Sequence, residues 1–381
     1  LTCSLNMPKV VDGPKVSVLL AAFNAAETLP TALRSLQQQT WANLEIIVID
    51  DCSPSQDTVR AAERFSAHDD RIKIVRMPQN CGAYVCRNEG LDLATGEFVT
   101  IHDADDWSHP RKIETQVRYL LENPRVIGCM SEQARCDEDL SFTKIRSNGN
   151  FIIFNTSSFL FRKRVIAHSL GYWDTARFGA DNELVRRMQA YFGKASLKKI
   201  RTGPLSFQRE AISSITEDPI KGIQGYYYGV RLAYLSAQIH KHLDRQNLYY
   251  PKDALSGNFP RPSLMNACRM DGDQGPDYYD IIFVSDFRTD TQETKQMSAH
   301  IKAAREQGKK VGIVLYYDIL IKSECINSSS SLLSIVDGSN VQIITYGEKV
   351  ICGEIIGPDI SRQELRQRYT PEISIAATLP K

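Results

Sequence analysis

Short apolar runs alternate with amphipathic segments from about Lys15 to Phe98. The segment at 26–39 places Leu29, Leu33 and Leu36 at intervals of four and three, which predicts a helix with one apolar face. The nearly continuous apolar run at residues 16–21 reads as a strand buried on both faces. Further strands are predicted at 44–51, 72–75 and 98–103, and the one at 72–75 has the weaker pattern. This β-α-β-α order constrains the fold to an α/β domain with a mostly parallel sheet and right-handed crossovers.

Polar side chains follow three of these predicted strands directly. Ligands of open α/β sheets bind beyond the carboxyl ends of the strands. Three polar groups at one edge therefore predict a ligand site there. The groups are Phe23 with Asn24, Asp50 with Asp51, and the acidic run at 103–106.

The acidic run reads Asp103-Ala104-Asp105-Asp106. Two carboxylates one residue apart, at the end of a buried strand, suit a hard divalent cation that shares its oxygen ligands with phosphates. We expect the run to bind such a cation at the sheet edge. His102 and His109 flank the run, but we do not expect either to be a ligand.

Bulk properties exclude some classes of protein. The net charge of +1 gives no electrostatic case for nucleic-acid binding. The 9 cysteines include no Cys-x-x-Cys pair, so we expect reduced thiols and a cytoplasmic protein. No apolar run reaches the roughly 18 residues of a membrane span, and no signal peptide is visible. The chain begins at Leu1, and we expect a segment of a longer protein.

The remaining chain predicts a second, smaller α/β unit. It opens with the apolar run at 280–286 and continues with a helix at 294–307. The serine run at 328–331 is a loop or a helix cap. A Pro-, Gly- and Asp-rich stretch precedes this unit and reads as a linker. The predicted divisions are a tail at 1–14, the first α/β domain at 15–217, a docking helix at 218–248, the linker at 249–278 and the second unit at 279–381.

Five blocks in order resemble family 2 of the nucleotide-sugar-dependent glycosyltransferases, which have the GT-A fold. The blocks lie at residues 18–29, 39–53, 80–91, 103–110 and 179–187. This resemblance implies a metal-dependent, inverting hexosyl- or N-acetylhexosaminyltransferase that uses a UDP-sugar. Its acceptor would be a glycan or a lipid-linked sugar in surface polysaccharide synthesis, in the cytoplasm or at the inner face of the membrane. Peripheral membrane association and a partner in an assembly complex stay open.

The resemblance also implies roles for the residues at the sheet edge. Phe23, Asn24 and Glu27 would line the nucleotide pocket. Either Asp50 or Asp51 would accept a hydrogen bond from the base or ribose. Arg87 would lie near the base and diphosphate. Asp103 and Asp105 would hold Mn²⁺ or Mg²⁺, with Asp105 bound to the metal directly. Asp103 could instead contact the ribose or a metal-bound water.

The general base implied by the resemblance is Asp181, with Glu183 as the alternative. Ala180 stands where the family commonly has an acid, and Asp181 could instead be a helix N-cap. The acceptor hydroxyl would attack the anomeric carbon in line, with inversion. Residues 205–216 contain no His, which leaves a third protein ligand for the metal in doubt. Trp173 is a candidate for stacking on a sugar.

Two further interpretations complete the prediction. Residues 279–357 resemble the first half of a Rossmann-like domain of the kind that opens GT-B glycosyltransferases, although no Gly-rich phosphate loop is present. A catalytically degenerate scaffold of a glycan assembly complex is the alternative function. A sugar nucleotidyltransferase is disfavoured because no Gly-x-Gly-x-Arg signature follows the first strand.

Overall fold

The computed structural model describes residues 7–143, 149–210, 215, 217–222, 224–255, 257–267, 276–317, 327–358 and 369–376. Parts of the predicted tail, linker and second unit lie outside these residues. The chain divides into two compact units. One comprises Leu1–Ile212 with Arg245–Leu255, and the other comprises Ser213–Asp244 with Ser256–Lys381.

The first unit is built on one mixed sheet. Its strands are β1 (Val16–Ala22), β2 (Leu44–Asp50), β3 (Ile72–Arg76), β4 (Phe98–Ile101), β5 (Trp107–Ser108), β6 (Gly128–Cys136), β7 (Ile153–Phe154), β8 (Leu160–Arg162) and β9 (Leu197–Arg209). Its helices are α1 (Leu29–Gln37), α2 (Asp57–Ser66), α3 (Ala83–Leu93), α4 (Lys112–Glu122), α5 (Lys163–Ser169) and α6 (Ala180–Phe192), with 3-10 turns at Thr156–Ser158 and Lys194–Ser196.

The strand order of this sheet is β3-β2-β1-β4-β8-β6-β9-β5, with β7 added on β6. The first four strands are parallel. β8 then runs antiparallel to both β4 and β6, while β9 runs parallel to β6. The predicted α/β class is confirmed, and the sheet is mixed, with its parallel part formed by β3-β2-β1-β4. Its parallel half brings the carboxyl ends of β1, β2 and β4 to one edge.

Helix packing follows the apolar pattern. Leu29, Leu33 and Leu36 of α1 are buried in the main core cluster, as their spacing predicts. α3 lies close to the sheet because Gly90 has no side chain: a Cβ there would come within 3.0 Å of Leu19 and Ile49. This close approach holds the first turns of α3 near the carboxyl edge of the sheet.

The second unit has a sheet of its own. Its strands are β10 (Asp277–Ser285), β11 (Val311–Leu315), β12 (Val341–Ile344), β13 (Lys349–Ile356) and β14 (Glu372–Ile375), and its helices are α7 (Gly225–Tyr228), α8 (Val230–Lys241), α9 (Gln292–Glu306) and α10 (Ser330–Leu333), with a 3-10 turn at Ser263–Met265. The order β12-β11-β10-β13-β14 is parallel throughout. This is the 3-2-1-4-5 order of doubly wound sheets, so the predicted smaller α/β unit is confirmed.

Two local expectations in the second unit have different outcomes. The predicted docking helix at 218–248 is wrong as one element, because α7 and α8 are separated by Gly229, whose backbone is extended. α8 packs on the core of the second unit through Ala233, and Val230 and Tyr234 are buried, whereas Ile239 and Leu243 farther along the predicted helix are exposed. Ser329 caps α10 by accepting from the Leu332 N–H, as the serine run suggested. None of the described helices is long and apolar enough to span a membrane.

The cysteines only partly match the expectation of reduced thiols. Cys81 is disulfide-bonded, which corrects that expectation at one position. The free thiols among the described residues are Cys52, Cys86, Cys129, Cys136 and Cys352.

Candidate active site

The loops that follow β1 and β2 are tied to one another at the carboxyl edge. The Asp51 N–H donates to the Ala22 carbonyl at 2.8 Å, and the Asn24 N–H donates to Ser53 Oγ at 2.9 Å. Asn24 and Cys52 both adopt the left-handed region, with φ of 50° and 57°. The structure therefore brings the first two predicted polar groups together.

The predicted nucleotide-pocket residues after β1 face solvent. Phe23 is 46% exposed, a large fraction for an aromatic ring beside a buried strand. Asn24 and Glu27 are exposed as well. All three are therefore accessible to a ligand, and their role in binding a nucleotide stays a prediction.

Asp50 is buried and its carboxylate is already engaged by the protein. Ser53 donates to it through Oγ at 2.5 Å and through its backbone N–H at 3.1 Å. Arg76 Nε lies 3.3 Å from the same carboxylate. These bonds shape the turn at the end of β2, so the evident work of Asp50 is to position the loop.

Asp51 is buried too, and it joins β2 to the start of α3. Its two carboxylate oxygens accept the backbone N–H groups of Cys81 at 2.9 Å and Gly82 at 2.8 Å. Burial raises the pKa of Asp51, although these hydrogen bonds act in the opposite direction. The carboxylate thus fixes the turn from which α3 begins.

Arg87 projects from α3 towards the acidic run. Its side chain is nearly buried, and Nη2 donates to Asp103 Oδ1 at 2.6 Å. The guanidinium also lies over the Tyr84 ring, 4.8 Å from the centroid. Burial by itself would lower the pKa of Arg87, but Asp103, Tyr84 and Asp181 raise it. Arg87 is therefore a fixed positive charge, and its buried Nε has no partner among the described residues.

The three aspartates after β4 differ in environment. Asp105 is exposed, and the Asp103 side chain is 31% exposed. Desolvation of the carboxylate by neighbouring protein atoms, and then the Asp103 charge, raise the pKa of Asp105 to about 6. Asp106 is buried and accepts from Gln208 Nε2 at 3.1 Å, and burial holds its pKa well above the usual range. Asp106 is thus structural, while Asp103 and Asp105 face outward.

The chemistry of this donor set fits a divalent cation that is shared with a ligand. Asp103 and Asp105 are two residues apart, and the Asp103 charge contributes, after burial, to the raised pKa of Asp105. Within the described ranges, no group of three or more His, Cys, Asp or Glu side chains could hold a metal ion. Two carboxylates would leave the remaining positions of a hard cation to phosphate oxygens and water.

Two arginines near Asp105 were missed by the sequence reasoning. The charges of Arg209 and Arg135 act on the Asp105 carboxylate and oppose the rise in its pKa. They lie on adjacent strands, because β6 and β9 pair with Cys136 opposite Arg209. Arg209 lies within residues 205–216, the stretch without a His. Its positive charge is the sequence signal that could have identified it as a site residue.

The start of α6 presents Asp181 to the same region. Gly179, with φ of 83°, holds the N-cap position, so the alternative role of Asp181 as N-cap is wrong. Asp181 is half-buried, and its Oδ1 accepts the Asn182 N–H at 2.8 Å. Its negative charge acts on both Tyr84 and Arg87. The structure therefore brings Asp181 near the side chains that surround Asp103.

Glu183, the alternative base, is held inside the protein. It is fully buried, and its carboxylate accepts from Arg187 Nε at 2.9 Å and Nη2 at 3.2 Å. Arg187 also donates to the carbonyls of Leu170 and Tyr172, each at 2.6 Å. A carboxylate fixed in this way supports the fold, and we retain Asp181 as the candidate base.

Replacing Arg187 with methionine is expected to destabilise the first unit by about 3–5 kcal/mol, because it leaves the buried Glu183 charge uncompensated. Urea unfolding followed by intrinsic fluorescence measures this change. The matched control is Arg60→Met, which removes an ion pair that is 67% and 65% exposed and is expected to cost less than about 1 kcal/mol. Equal losses in the two variants would contradict the structural role of the buried pair.

Trp173 does not have the predicted position. It is only 1% exposed and meets Phe161 edge-on, with ring centroids 5.8 Å apart. Asn88 holds its backbone with two hydrogen bonds, at 2.9 and 3.0 Å. Trp173 is a core residue, so the prediction that it stacks on a sugar is wrong.

The chain is similar to known glycosyltransferases. The family model "Glycosyl transferase family 2" matches residues 17–185. Putative glycosyltransferase EpsE of Bacillus subtilis is 38% identical over 110 residues, which is 29% of this chain and 39% of that protein. The UDP-Glc:alpha-D-GlcNAc-diphosphoundecaprenol beta-1,3-glucosyltransferase WfgD of Escherichia coli is 34% identical over 113 residues, which is 30% of this chain and 44% of WfgD.

The matches thus span less than half the length of these two curated relatives. Among solved structures, S. aureus TarS 1-349 in complex with UDP-GlcNAc is 15% identical, with a TM-score of 0.46 over 60% of this chain and 66% of that chain. The family model matches the part of the chain that contains the carboxyl edge, Asp103, Asp105 and Asp181. The chain therefore carries a glycosyl transferase family 2 domain over residues 17–185.

Proposed function

We propose that this chain is a metal-dependent, inverting glycosyltransferase that moves a sugar from a UDP-sugar to a glycan or lipid-linked acceptor. One observation carries the proposal: Asp103, buried Arg87 and Asp181 lie together at the carboxyl edge of a parallel sheet. A lone acidic run would suit many cation sites. An acidic run with a buried arginine and a separate, accessible carboxylate close by suits group transfer from a diphosphate.

The donor would bind at the ends of β1, β2 and β4. Phe23 offers an exposed aromatic face to the base, and Asn24 and Glu27 offer polar groups beside it. Mn²⁺ or Mg²⁺ held by Asp103 and Asp105 would supply Lewis-acid stabilisation of the departing nucleotide. Arg87 would place a permanent positive charge next to the diphosphate, where charge develops as the nucleotide leaves.

The acceptor would approach from the side of α6. Asp181 would accept the proton of the attacking hydroxyl, and that oxygen would form a bond to the anomeric carbon as the bond to the diphosphate breaks. A single displacement inverts the anomeric configuration, so an α-linked donor gives a β-linkage. Family 2 membership and the lipid-diphosphate acceptor in the name of the relative WfgD support an acceptor of this class and a place in surface polysaccharide synthesis.

Removing metal tests this function directly. We expect the full chain to release UDP from a UDP-sugar in the presence of Mn²⁺ and an acceptor, and to lose this activity when EDTA is added. Without a cation the diphosphate loses its Lewis acid, a contribution of several kcal/mol. A coupled assay for UDP, run across a panel of UDP-sugars, measures the release, and restoring Mn²⁺ in excess of EDTA is the control.

Release that is unchanged in EDTA would overturn the metal dependence. Retention of configuration in the product, read from the anomeric proton coupling by NMR, would overturn the single-displacement mechanism. If no UDP-sugar is turned over although the nucleotide binds, the degenerate scaffold becomes the better account of the chain.

A further inference from the structure

A cavity of about 790 Å³ lies within the first unit, next to the start of α6. Asn182 lines it, one residue after the candidate base, and is held by Thr156 Oγ1, 3.3 Å from its Oδ1. The other walls come from β6, β7 and β9. Phe23, Arg87, Asp103 and Asp105 are not among its lining residues, so this cavity is distinct from the donor side of the edge.

The side chains that line the cavity carry more positive than negative charge. Its cationic residues are Arg186, Lys199 and Arg201, and its one lining acid is Glu132. The Glu132 carboxylate is already engaged, because Oε2 accepts the backbone N–H groups of Thr202 and Gly203, both at 2.9 Å. With three cationic residues and one acid, the lining carries a net positive charge.

The positions of two of these cations are set by one strand. Lys199 and Arg201 are two residues apart on β9, so they project from the same face, and both are exposed. Lys199 Nζ lies 5.4 Å from the centroid of the Phe154 ring, which also lines the cavity. A lysine beside an aromatic ring offers two kinds of contact at once. The ammonium can bind an anionic group, and the ring can stack on the apolar face of a sugar.

We propose that this cavity binds the acceptor, and that the acceptor carries an anionic group, a phosphate or a carboxylate, held by Lys199 and Arg201. This inference rests on the proposed transferase function, since it names the acceptor class for the same site. The volume lies in the range of small-molecule sites. Asn182 lines the cavity and follows Asp181 directly in the first turn of α6, so an acceptor in the cavity would present its hydroxyl from this end. The anionic group would then lie towards β9, away from the carboxylate that accepts the proton.

Direct binding of defined probes to the full chain tests the proposal without donor or metal. The probes are methyl β-N-acetylglucosaminide, N-acetylglucosamine 1-phosphate and methyl glucuronide, measured by titration calorimetry at low ionic strength. We expect at least one anionic probe to bind about tenfold or more tightly than the neutral one, since charge-assisted hydrogen bonds provide this much. Comparison of the phosphate and carboxylate probes identifies the source of the charge.

Variants of β9 locate the site. The double variant Lys199→Ala/Arg201→Ala is expected to lose the preference for the anionic probe, and Lys199→Glu/Arg201→Glu to reverse it. Lys198→Ala is the matched control: Lys198 is exposed on the same strand but points to its other face, and it is not among the cavity residues. We expect Lys198→Ala to bind all probes as the wild type does, and melting temperatures check that every variant is folded.

The outcomes separate the two proposals. If no anionic probe binds more tightly than the neutral one, or if the preference survives in both double variants, the inference is wrong even where metal-dependent UDP release is observed. If the preference is found and lost as expected but no UDP-sugar is ever turned over, the anionic site stands and the transferase function falls.

Discussion

Replacing Asp181 with asparagine is expected to lower kcat for sugar transfer by about 100- to 10,000-fold, the usual contribution of general base catalysis. The amide has nearly the same shape as the carboxylate but cannot accept the proton of the attacking hydroxyl. Asp181 is half-buried in the first turn of α6 and would contact the acceptor hydroxyl rather than the nucleotide, so donor affinity should change little. Steady-state kinetics with calorimetric UDP binding would measure both quantities.

A second first-turn aspartate provides the control for this variant. Asp57 lies in the first turn of α2, and Asp57→Asn removes the same charge from a helix N-terminus without touching the candidate site. That change is expected to lower the free energy of unfolding by about 0.3–1 kcal/mol and to leave the activity unchanged. If Asp181→Asn behaves like Asp57→Asn, Asp181 serves only its helix, and the general base lies elsewhere.

Replacing Asp105 with alanine is expected to reduce metal-dependent UDP binding and turnover together, each by about 100-fold or more, because a cation contributes several kcal/mol to the departing diphosphate. Asp105 is exposed and its pKa is raised towards 6 by the surrounding protein and by Asp103, so removing it does not unpair any buried cation. Titration of UDP in Mn²⁺ and in EDTA, in parallel with UDP release, measures the effect.

Wild-type and variant proteins should converge in EDTA, because neither then has a cation to hold. Asp70→Ala, in the exposed turn that follows α2, controls for the loss of one surface carboxylate. An Asp105→Ala protein that still binds UDP more tightly with Mn²⁺ than with EDTA would show that the cation is held by other groups.

Asp103 differs from Asp105 because Arg87 already holds one of its oxygens. The Arg87 side chain is nearly buried and carries a permanent charge, so the pair sets the position of the Asp103 carboxylate before any ligand binds. Asp51 contributes indirectly, since it fixes the turn from which α3 carries Arg87 to the edge. The site therefore has a buried, hydrogen-bonded part where Arg87 of α3 meets Asp103 after β4, and an exposed part at Phe23 and Asp105.

The part of the fold that the sequence predicted is the part encoded by local periodicity. Strands β1 and β2 come from continuous apolar runs, and α1 comes from Leu29, Leu33 and Leu36. Because a parallel sheet aligns strand ends, residues that follow separate strands are predicted to lie at one edge. Asn24, Asp51 and Asp103 follow β1, β2 and β4, which are parallel neighbours in the sheet.

Local sequence pattern does not predict the role of a residue where its side-chain environment decides that role. Asp181 and Glu183 are two residues apart, yet one is half-buried and accessible while the other is paired with Arg187 in the core. Trp173 is of the residue type that often stacks on sugars, but its side chain is buried in the core. Gly229 lies within an amphipathic pattern that continues on both sides of it, and the chain breaks there into two helices.

The sequence by itself therefore determined the α/β class, the shared edge and the acidic run, because strand alternation and strand-end chemistry are local properties. Only the tertiary structure decided that Arg87 holds Asp103, that Glu183 is paired with Arg187 in the core, and that Lys199 and Arg201 line one cavity with Asn182. Burial, partners and charge at a position depend on segments far away in the chain. Such contacts exist only once the sheet has brought β4, β9 and α6 together.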